Sequence, residues 1–320
     1  MKKRAIFILT MITTALPIIA DIIYPSQLKE GDKIAILAPS GPVKREFVDG
    51  AAEVLREQGF DPVVFPTVDM RNGQFSGTAS ERFSDLREAF LNPEYKAILC
   101  ARGGYGMVHN LDSLAALPLR DNPKWVIGYS DISALHALLA SKGIASIHAS
   151  MARHIAKGAD RPENVALFEI LRDSFPSYSF PSDPRNHPGK ADGKIMGGNL
   201  AVIQALINTP YNVIQPGTIL FIEDIAEPIY KVERIMYQLR MMGILSSLKG
   251  LILGQFTGYE PGDNYDTIEE MLADVLKDYP DLPVAFNAPV GHVDFNLPLV
   301  ISSHAELEVT PDMTTLTLSK

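Results

Sequence analysis

The chain has 320 residues, a length typical of two domains, and its 46% hydrophobic and 21% charged residues are the composition of a globular protein. A formal net charge of −9 argues against a nucleic-acid partner, because phosphate binding requires a basic surface. The single cysteine, Cys100, excludes an intramolecular disulfide and a cysteine-based zinc cluster. No metal or other cofactor is expected, since no His-Glu-x-x-His motif or carboxylate–histidine cluster is visible in the sequence.

Residues 1–20 differ from the rest of the chain. Lys2-Lys3-Arg4 precedes an uncharged apolar run that ends at Ala20. A short basic segment, an apolar run too short to span a bilayer comfortably and a terminal small residue predict a signal peptide that is cleaved after Ala20. We therefore expect a periplasmic or secreted protein with no stable membrane association after cleavage. An uncleaved anchor and a cytoplasmic location are the alternatives.

Strand and helix patterns alternate between residues 21 and 155. Strands are predicted over 33–38, 63–65, 97–101, 125–128 and 145–148, and helices over 46–58, 80–90 and 131–142. Such alternation implies right-handed crossovers and a mostly parallel sheet. The sequence therefore predicts an N-terminal α/β domain over residues 21–155.

The chain after residue 155 has a different pattern. Residues 156–192 are rich in Ser, Pro and other turn-forming residues, which predicts an interdomain linker. Residues 193–320 then form a second domain, with strands at Thr218–Glu223, Leu251–Phe256 and 284–286 and helices after Asn199 and Pro228. The runs 299–301, 305–309 and 314–318 include alternating polar and apolar residues, as antiparallel strands do. This domain is predicted to be a strand-rich α+β domain.

Ser130 is a candidate nucleophile. It stands at the end of the strand 125–128, immediately before a helix, where a sharp turn exposes the hydroxyl and the helix N-terminus favours a developing anion. A serine at this place is also a common helix N-cap. The Gly-x-Ser-x-Gly pattern is incomplete, because Ile132 occupies the position of the second glycine. Local sequence alone leaves both roles open.

A serine nucleophile needs a base and an acid that orients it. Of the seven histidines, His292 lies in a loop that follows a strand and is free to face a cleft. His136 and His148 are expected to be packed and hydrogen-bonded within the first domain. Glu223 is the best acid, because a carboxylate at the edge of an apolar strand is costly without a partner. The adjacent Asp224 is more simply explained as a helix or turn cap.

The glycine-rich segment Arg102-Gly103-Gly104-Tyr105-Gly106 follows a predicted strand. It is not a phosphate-binding loop, since no Gly-Lys-Ser/Thr follows, and it does not match the dinucleotide fingerprint. Its backbone N–H groups could form half of an oxyanion hole. A tight turn without chemistry explains the same glycines.

Six segments in chain order resemble the LD-carboxypeptidase family of serine peptidases. They are Ala38-Pro-Ser-Gly-Pro42, Ala101-Arg-Gly-Gly-Tyr-Gly106, Ile127-Gly-Tyr-Ser-Asp131, Gly197-Gly-Asn199, Phe221-Ile-Glu-Asp224 with Glu227-Pro228, and Gly291-His292 with Asn296-Leu-Pro298. The resemblance implies a Rossmann-like first domain that carries the serine and a second domain that carries the acid and the base. Where the family often has Gly-His-Gly, this chain has Gly291-His292-Val293.

The resemblance also implies a catalytic triad of Ser130, Glu223 and His292. The implied reaction releases the terminal D-alanine from a peptidoglycan tetrapeptide or muropeptide, without a metal or cofactor. The oxyanion would then be held by the N–H group of Asp131 and one from Gly103 or Gly104. Arg102 could bind the terminal carboxylate of the substrate, although a structural ion pair explains it nearly as well.

Two alternative functions stay open, together with the oligomeric state. Similar peptidases hydrolyse peptidyl-nucleotide antibiotics as immunity proteins, and a muropeptide-binding protein could have lost catalysis. The intact set of Ser130, Glu223 and His292 argues against loss of catalysis. The family suggests a homodimer.

Overall fold

The computed structural model describes residues 21–320, which form two β-sheets flanked by helices. The predicted signal peptide, residues 1–20, lies outside the described residues. None of the helices in residues 21–320 combines the length and the apolar character needed to cross a bilayer.

The first sheet has six strands in the order β11-β5-β4-β3-β1-β2. Its strands are β1 (Lys33–Leu37), β2 (Asp61–Val64), β3 (Tyr95–Cys100), β4 (Trp125–Gly128), β5 (Ser146–His148) and β11 (Leu299–Ile301). Neighbouring strands from β2 to β5 are parallel, which confirms the predicted mostly parallel sheet. β11 pairs with β5 in the antiparallel direction, so a strand that was predicted for the second domain completes the sheet of the first.

The order of these strands reverses beside β1. The chain leaves β1 towards β2 on one side and returns to β3 on the other side of β1. Loops diverge at such a reversal, and ligands bind there in open α/β sheets. The loops that follow β1, β3 and β4 contain Gly41, Gly103 and Ser130. The helices of this half are α1 (Arg45–Glu57), α2 (Ala79–Leu91), α3 (Leu111–Ala115), α4 (Ser133–Ser141) and α5 (Ala152–Ile155).

The second sheet has seven strands in the order β10-β9-β8-β7-β12-β13-β6. They are β6 (Ser177–Pro181), β7 (Gly189–Asn199), β8 (Ile219–Ile225), β9 (Gly250–Thr257), β10 (Val284–Ala285), β12 (His304–Val309) and β13 (Met313–Ser319). The strands from β7 to β10 are parallel, whereas β12, β13 and β6 join by antiparallel pairing. The sheet is strand-rich as predicted, and half of it has the parallel geometry expected only of the first domain. Its helices are α7 (Leu200–Gln204), α8 (Ile229–Met241) and α9 (Ile268–Leu276).

Residues 156–192, predicted above as an interdomain linker, contain regular structure. Helix α6 (Pro162–Leu171) buries Leu167, Phe168 and Leu171 in the core, and β6 forms the edge of the second sheet. The density of Pro and Ser marks turns around these elements rather than a free connection. The segment is fixed by the apolar side chains that α6 buries and by the backbone pairing of β6 with β13. Both contacts are with distant parts of the chain, so the local sequence does not predict them.

Candidate active site

Ser130 occupies a strained turn between β4 and α4. Its φ angle is +65°, in the left-handed region that non-glycine residues seldom adopt. Such a conformation costs about 1–3 kcal/mol and persists only where the surrounding structure enforces it. A short 3-10 turn over Ser130–Ile132 leads from it into α4, so the serine is not a simple helix N-cap. The geometry is that of a nucleophile elbow, which presents the hydroxyl above the sheet.

The glycine-rich loop after β3 packs directly against this serine. A Cβ atom on Gly103 would lie 2.8 Å from the Cβ of Ser130 and 3.1 Å from its Oγ, so only glycine fits. The N–H group of Gly41 donates to the carbonyl of Gly103 at 2.9 Å and ties the loop after β1 to the loop after β3. Among residues 21–320, the backbone N–H groups of Gly103, Gly104 and Asp131 donate to no protein acceptor. They remain available to an anionic ligand.

The carboxylate of Asp131 fixes the three loops around the serine. It accepts a hydrogen bond from Ser40 Oγ at 2.6 Å and another from the backbone N–H of Met107 at 2.8 Å. Burial raises the pKa of this carboxyl above its usual range. From the sequence, only the backbone N–H of Asp131 is expected to have a role, so these side-chain bonds are a finding of the structure. The sequence shows that Ser40 lies in a Pro-Ser-Gly-Pro turn, but it does not reveal that the hydroxyl binds Asp131, which is 91 residues away.

Glu223 and His292 lie within hydrogen-bonding distance of each other at the second sheet. Glu223 lies on β8, is fully buried, and its Oε2 is 2.7 Å from Nδ1 of His292. A Cβ atom on Gly254, in the adjacent strand β9, would lie 3.1 Å from Cβ of Glu223. The absence of a side chain at that position leaves room for the carboxylate. The structure therefore brings together the acid and the base that the sequence analysis selected.

Tyr129 joins this pair to the serine turn. Its ring contacts that of His292 edge to face, with centroids 4.9 Å apart. Because Tyr129 directly precedes Ser130, the contact places His292 beside the serine loop. Within the described residues, no hydrogen bond joins Ser130 to His292. Catalytic hydrogen bonds of this kind are often long before substrate binds and tighten in the complex.

A second set of contacts fixes how the two sheets meet. The backbone N–H of Asn199 donates to Ser133 Oγ at 2.9 Å, and a Cβ on Gly198 would approach that oxygen to 2.5 Å. This close approach explains the Gly197-Gly198-Asn199 segment. Asp224 accepts from the side chain of Asn199 at 2.8 Å and from the N–H of Ala201, in the first turn of α7, at 2.9 Å. Asp224 thus accepts a hydrogen bond from the first turn of α7, whose N-cap is Asn199, and burial raises the pKa of Asp224 to about 6.

Arg102 lies in the loop that follows β3. It is exposed, and its guanidinium donates to the carbonyl of Pro42. The structural ion pair that the sequence suggested as an alternative role for Arg102 is not what the structure shows, because its partner is a backbone oxygen. The other guanidinium N–H groups of Arg102 donate to no acceptor within residues 21–320.

The other buried histidines differ from each other. His136 is hydrogen-bonded to Ser146 and to the carbonyl of Gly128, as predicted. His148 is equally buried, but neither of its ring nitrogens has a partner among residues 21–320, so the expected hydrogen bonds are missing. It packs between the rings of Tyr129 and Phe221, and burial holds its pKa well below the usual value.

One group in the described residues has the composition of a metal site. Asp192, His304 and Glu306 place one potential ligand atom each within 4.8 Å of the others, on the outer face of the second sheet. Pairing of β7 with β12 brings these residues together. Their spacing in the sequence therefore does not predict the group. Both carboxylates are exposed, and the group contains no residue of the serine site.

Comparison with known proteins identifies both halves of the chain. Residues 34–149 match the LD-carboxypeptidase N-terminal domain, and residues 192–307 match the LD-carboxypeptidase C-terminal domain. A putative carboxypeptidase of Streptomyces coelicolor is 34% identical over 94% of this chain and 97% of its own length. A probable murein peptide carboxypeptidase of Bacillus subtilis is 30% identical over 88% of this chain and 91% of its own length.

Solved structures share the fold. The crystal structure of muramoyltetrapeptide carboxypeptidase from Oxalobacter formigenes superposes with a TM-score of 0.79 at 29% identity, covering 90% of this chain and 99% of that one. The microcin C7 self immunity protein MccF superposes with a TM-score of 0.78 at 23% identity, over 92% of this chain and 98% of its own, which shows a common fold. With both domains matched across residues 34–307, the chain belongs to the LD-carboxypeptidase family of serine peptidases.

Proposed function

We propose that this enzyme releases the terminal D-alanine from peptidoglycan tetrapeptides or muropeptides. The observation that carries the proposal is the 2.7 Å contact of buried Glu223 with His292, beside the strained turn of Ser130. The printed names of its relatives, which include a murein tetrapeptide carboxypeptidase of Pseudomonas aeruginosa, support this substrate class.

In the proposed mechanism Ser130 is the nucleophile. Nε2 of His292 accepts the hydroxyl proton as Oγ attacks the carbonyl carbon that precedes the D-alanine. Collapse of the tetrahedral intermediate breaks the C–N bond, and His292 returns the proton to the leaving amine. Water then attacks the acyl-enzyme with His292 again acting as base, which releases the shortened peptide and restores the Ser130 hydroxyl.

Glu223 orients the base. In this mechanism Oε2 accepts the Nδ1 proton of His292, which leaves Nε2 unprotonated and able to act as the base. The buried carboxylate also stabilises the imidazolium that forms during the attack. The edge-to-face contact with Tyr129 limits rotation of the imidazole ring.

The backbone donors around Ser130 suit an oxyanion hole. Asp131 and either Gly103 or Gly104 would supply the N–H groups, as the sequence analysis proposed. Loss of one such donor typically removes about 3 kcal/mol of transition-state stabilisation. The Asp131 side chain, bonded to Ser40 and Met107, would keep this pocket rigid.

Arg102 is the proposed ligand of the terminal carboxylate. A carboxypeptidase must distinguish a chain end from an internal peptide bond, and a guanidinium binds a carboxylate through two parallel hydrogen bonds. We expect Arg102→Ala to raise KM more than it lowers kcat.

Incubation of the purified protein with a tetrapeptide and with its disaccharide derivative tests the proposal. Stoichiometric D-alanine and the tripeptide are the expected products, and Ser130→Ala is the matched inactive control. Cleavage of a peptidyl nucleotide, with no release of D-alanine, would favour the immunity-type alternative instead. Binding of muropeptide without any product would favour the non-catalytic one.

We also propose an envelope location and a homodimer. The basic and apolar character of residues 1–20 supports export, with cleavage after Ala20 and no stable membrane association afterwards. N-terminal sequencing of protein from its host tests this, and an intact Met1 in a cytosolic fraction contradicts it. The dimer is supported by the family resemblance, and sedimentation equilibrium of the purified chain measures it.

A further inference from the structure

The loop that carries His292 is held by a buried asparagine. Asn296 is fully buried, and its Oδ1 accepts the backbone N–H of Gly291 at 2.8 Å. Gly291 directly precedes His292, so this bond acts on the residue next to the base. Burial of a carboxamide costs free energy unless its polar atoms form hydrogen bonds, so the bond to Gly291 offsets part of the cost of burying Asn296.

The position of Gly291 determines how His292 meets its acid. Gly291 has a φ angle of +122°, and a Cβ atom there would lie 2.8 Å from Cβ and 2.9 Å from Oε2 of Glu223. The backbone at residue 291 thus packs against the same carboxylate oxygen that contacts Nδ1 of His292. A small shift of this backbone changes the distance between acid and base.

Asn296 and Glu223 also have complementary unused groups. Nδ2 of Asn296 and Oε1 of Glu223 are both buried, and neither has a hydrogen-bond partner among residues 21–320. One is a donor and the other an acceptor. Asn296 accepts from the N–H of Gly291, and a Cβ atom on Gly291 would lie against Glu223. Gly291 therefore links these two buried side chains.

We propose that Asn296 is a positioning residue, which orients His292 towards Glu223 by holding Gly291. The catalytic part of this inference rests on the proposed function, whereas the geometric part concerns only the Glu223–His292 hydrogen bond. The residue does not touch the reacting atoms. Misplacement of a catalytic group by about 1 Å through a remote change can cost about 100-fold in rate, which sets the expected effect.

The test compares Asn296→Ala with the acceptor-retaining Asn296→Asp. We expect Asn296→Ala to lower kcat about 100-fold with little change in KM, and Asn296→Asp to recover a substantial part of the loss. The Nδ1 proton of His292, bonded to Glu223, should give a far-downfield proton resonance in the native enzyme. That resonance should disappear or shift in Asn296→Ala and persist in Asn296→Asp.

Asn164→Ala is the matched control. Asn164 is also a fully buried asparagine, and its Nδ2 donates to the carbonyls of His154 and Gly158 outside the triad. Its loss should lower stability and leave kcat and the His292 resonance unchanged. A folded Asn296→Ala enzyme with native kcat and a native resonance would overturn the inference.

The two readouts separate this inference from the proposed function. If the native protein shows the resonance but releases no D-alanine, the proposed substrate is wrong. In that case loss of the resonance in Asn296→Ala still supports the positioning role.

Discussion

Replacement of Glu223 by glutamine should separate catalysis from stability. The substitution preserves the shape of the side chain and removes its charge at a fully buried position. The carboxylate contacts His292 through Oε2 at 2.7 Å, while Oε1 has no partner among the described residues. A neutral amide in the same cavity avoids burial of a charge, so the free energy of unfolding should fall by less than about 1 kcal/mol or increase.

The effect on rate should be large. A glutamine that donates to Nδ1 holds the imidazole in the tautomer whose Nε2 carries the proton, so Nε2 cannot accept the proton of Ser130. The equivalent change in a serine triad lowers kcat about 10⁴-fold, which corresponds to about 5.5 kcal/mol of transition-state stabilisation. Because the substrate does not contact Glu223 in the proposed mechanism, KM should change little.

Asp224 provides the control, because it is the adjacent carboxylate on the same strand. Its oxygens accept from Asn199 and Ala201, and an amide in Asp224→Asn would present an N–H to the N–H of Ala201. Loss of this buried acceptor should cost about 1–3 kcal/mol of stability, while kcat stays within about tenfold of the native value.

The assay measures initial rates of D-alanine release against tetrapeptide concentration, with urea unfolding of each variant. The expected pattern is an inactive but stable Glu223→Gln and an active but destabilised Asp224→Asn. Native kcat in Glu223→Gln would refute the assigned role of the acid. An inactive, fully stable Asp224→Asn would show that the wrong carboxylate was assigned.

Three further outcomes are expected. Ser130→Ala and Ser130→Gly should both be inactive in D-alanine release, and the glycine variant should be about 1 kcal/mol more stable in urea because it relieves the left-handed φ of +65°. Turnover by either folded variant would exclude Ser130 as the nucleophile. Gly103→Ala should lower kcat by about 100-fold or more, because the new Cβ atom would lie 2.8 Å from the Cβ of Ser130 and displace the proposed oxyanion donors. Unchanged kinetics in this variant would contradict the close packing of Gly103 against Ser130. Burial raises the pKa of Asp224 to about 6 from an ordinary 3.8, so its neutral form stabilises the fold below pH 3.8 and that contribution is lost as the pH rises through 6. Between pH 4 and 7, urea unfolding of the native chain should show a fall in the free energy of unfolding that Asp224→Asn lacks. Identical pH profiles for the two proteins would contradict this role of Asp224.

The sequence by itself determined the alternation of strands and helices in the first domain, and it selected the residues of the proposed triad. Buried strands such as β1 and β4 are short apolar runs that end in turn residues, so their local pattern is sufficient. The triad followed from the resemblance of six collinear segments. Spacing alone left Ser130 between a nucleophile and a helix cap, and its φ of +65° favours the nucleophile turn.

Only the tertiary structure decided which strands belong together. β7 contains four glycines and few β-forming side chains, and it becomes the central strand of the second sheet because β8 and β12 pair with both of its edges. β11 has a recognisable strand pattern, yet nothing in its own residues indicates that it pairs with β5 of the other sheet.

The same limit applies to the site. Glu223 and His292 are 69 positions apart, and the bond from Ser40 to Asp131 spans 91. Local propensity acts over a few residues, whereas these contacts arise when two sheets pack and each buried polar group must find a partner. The sequence therefore selected the candidate catalytic residues. Long-range burial decided that Asp131 ties the loops together and that Asn296 binds Gly291, because those contacts exist only after packing.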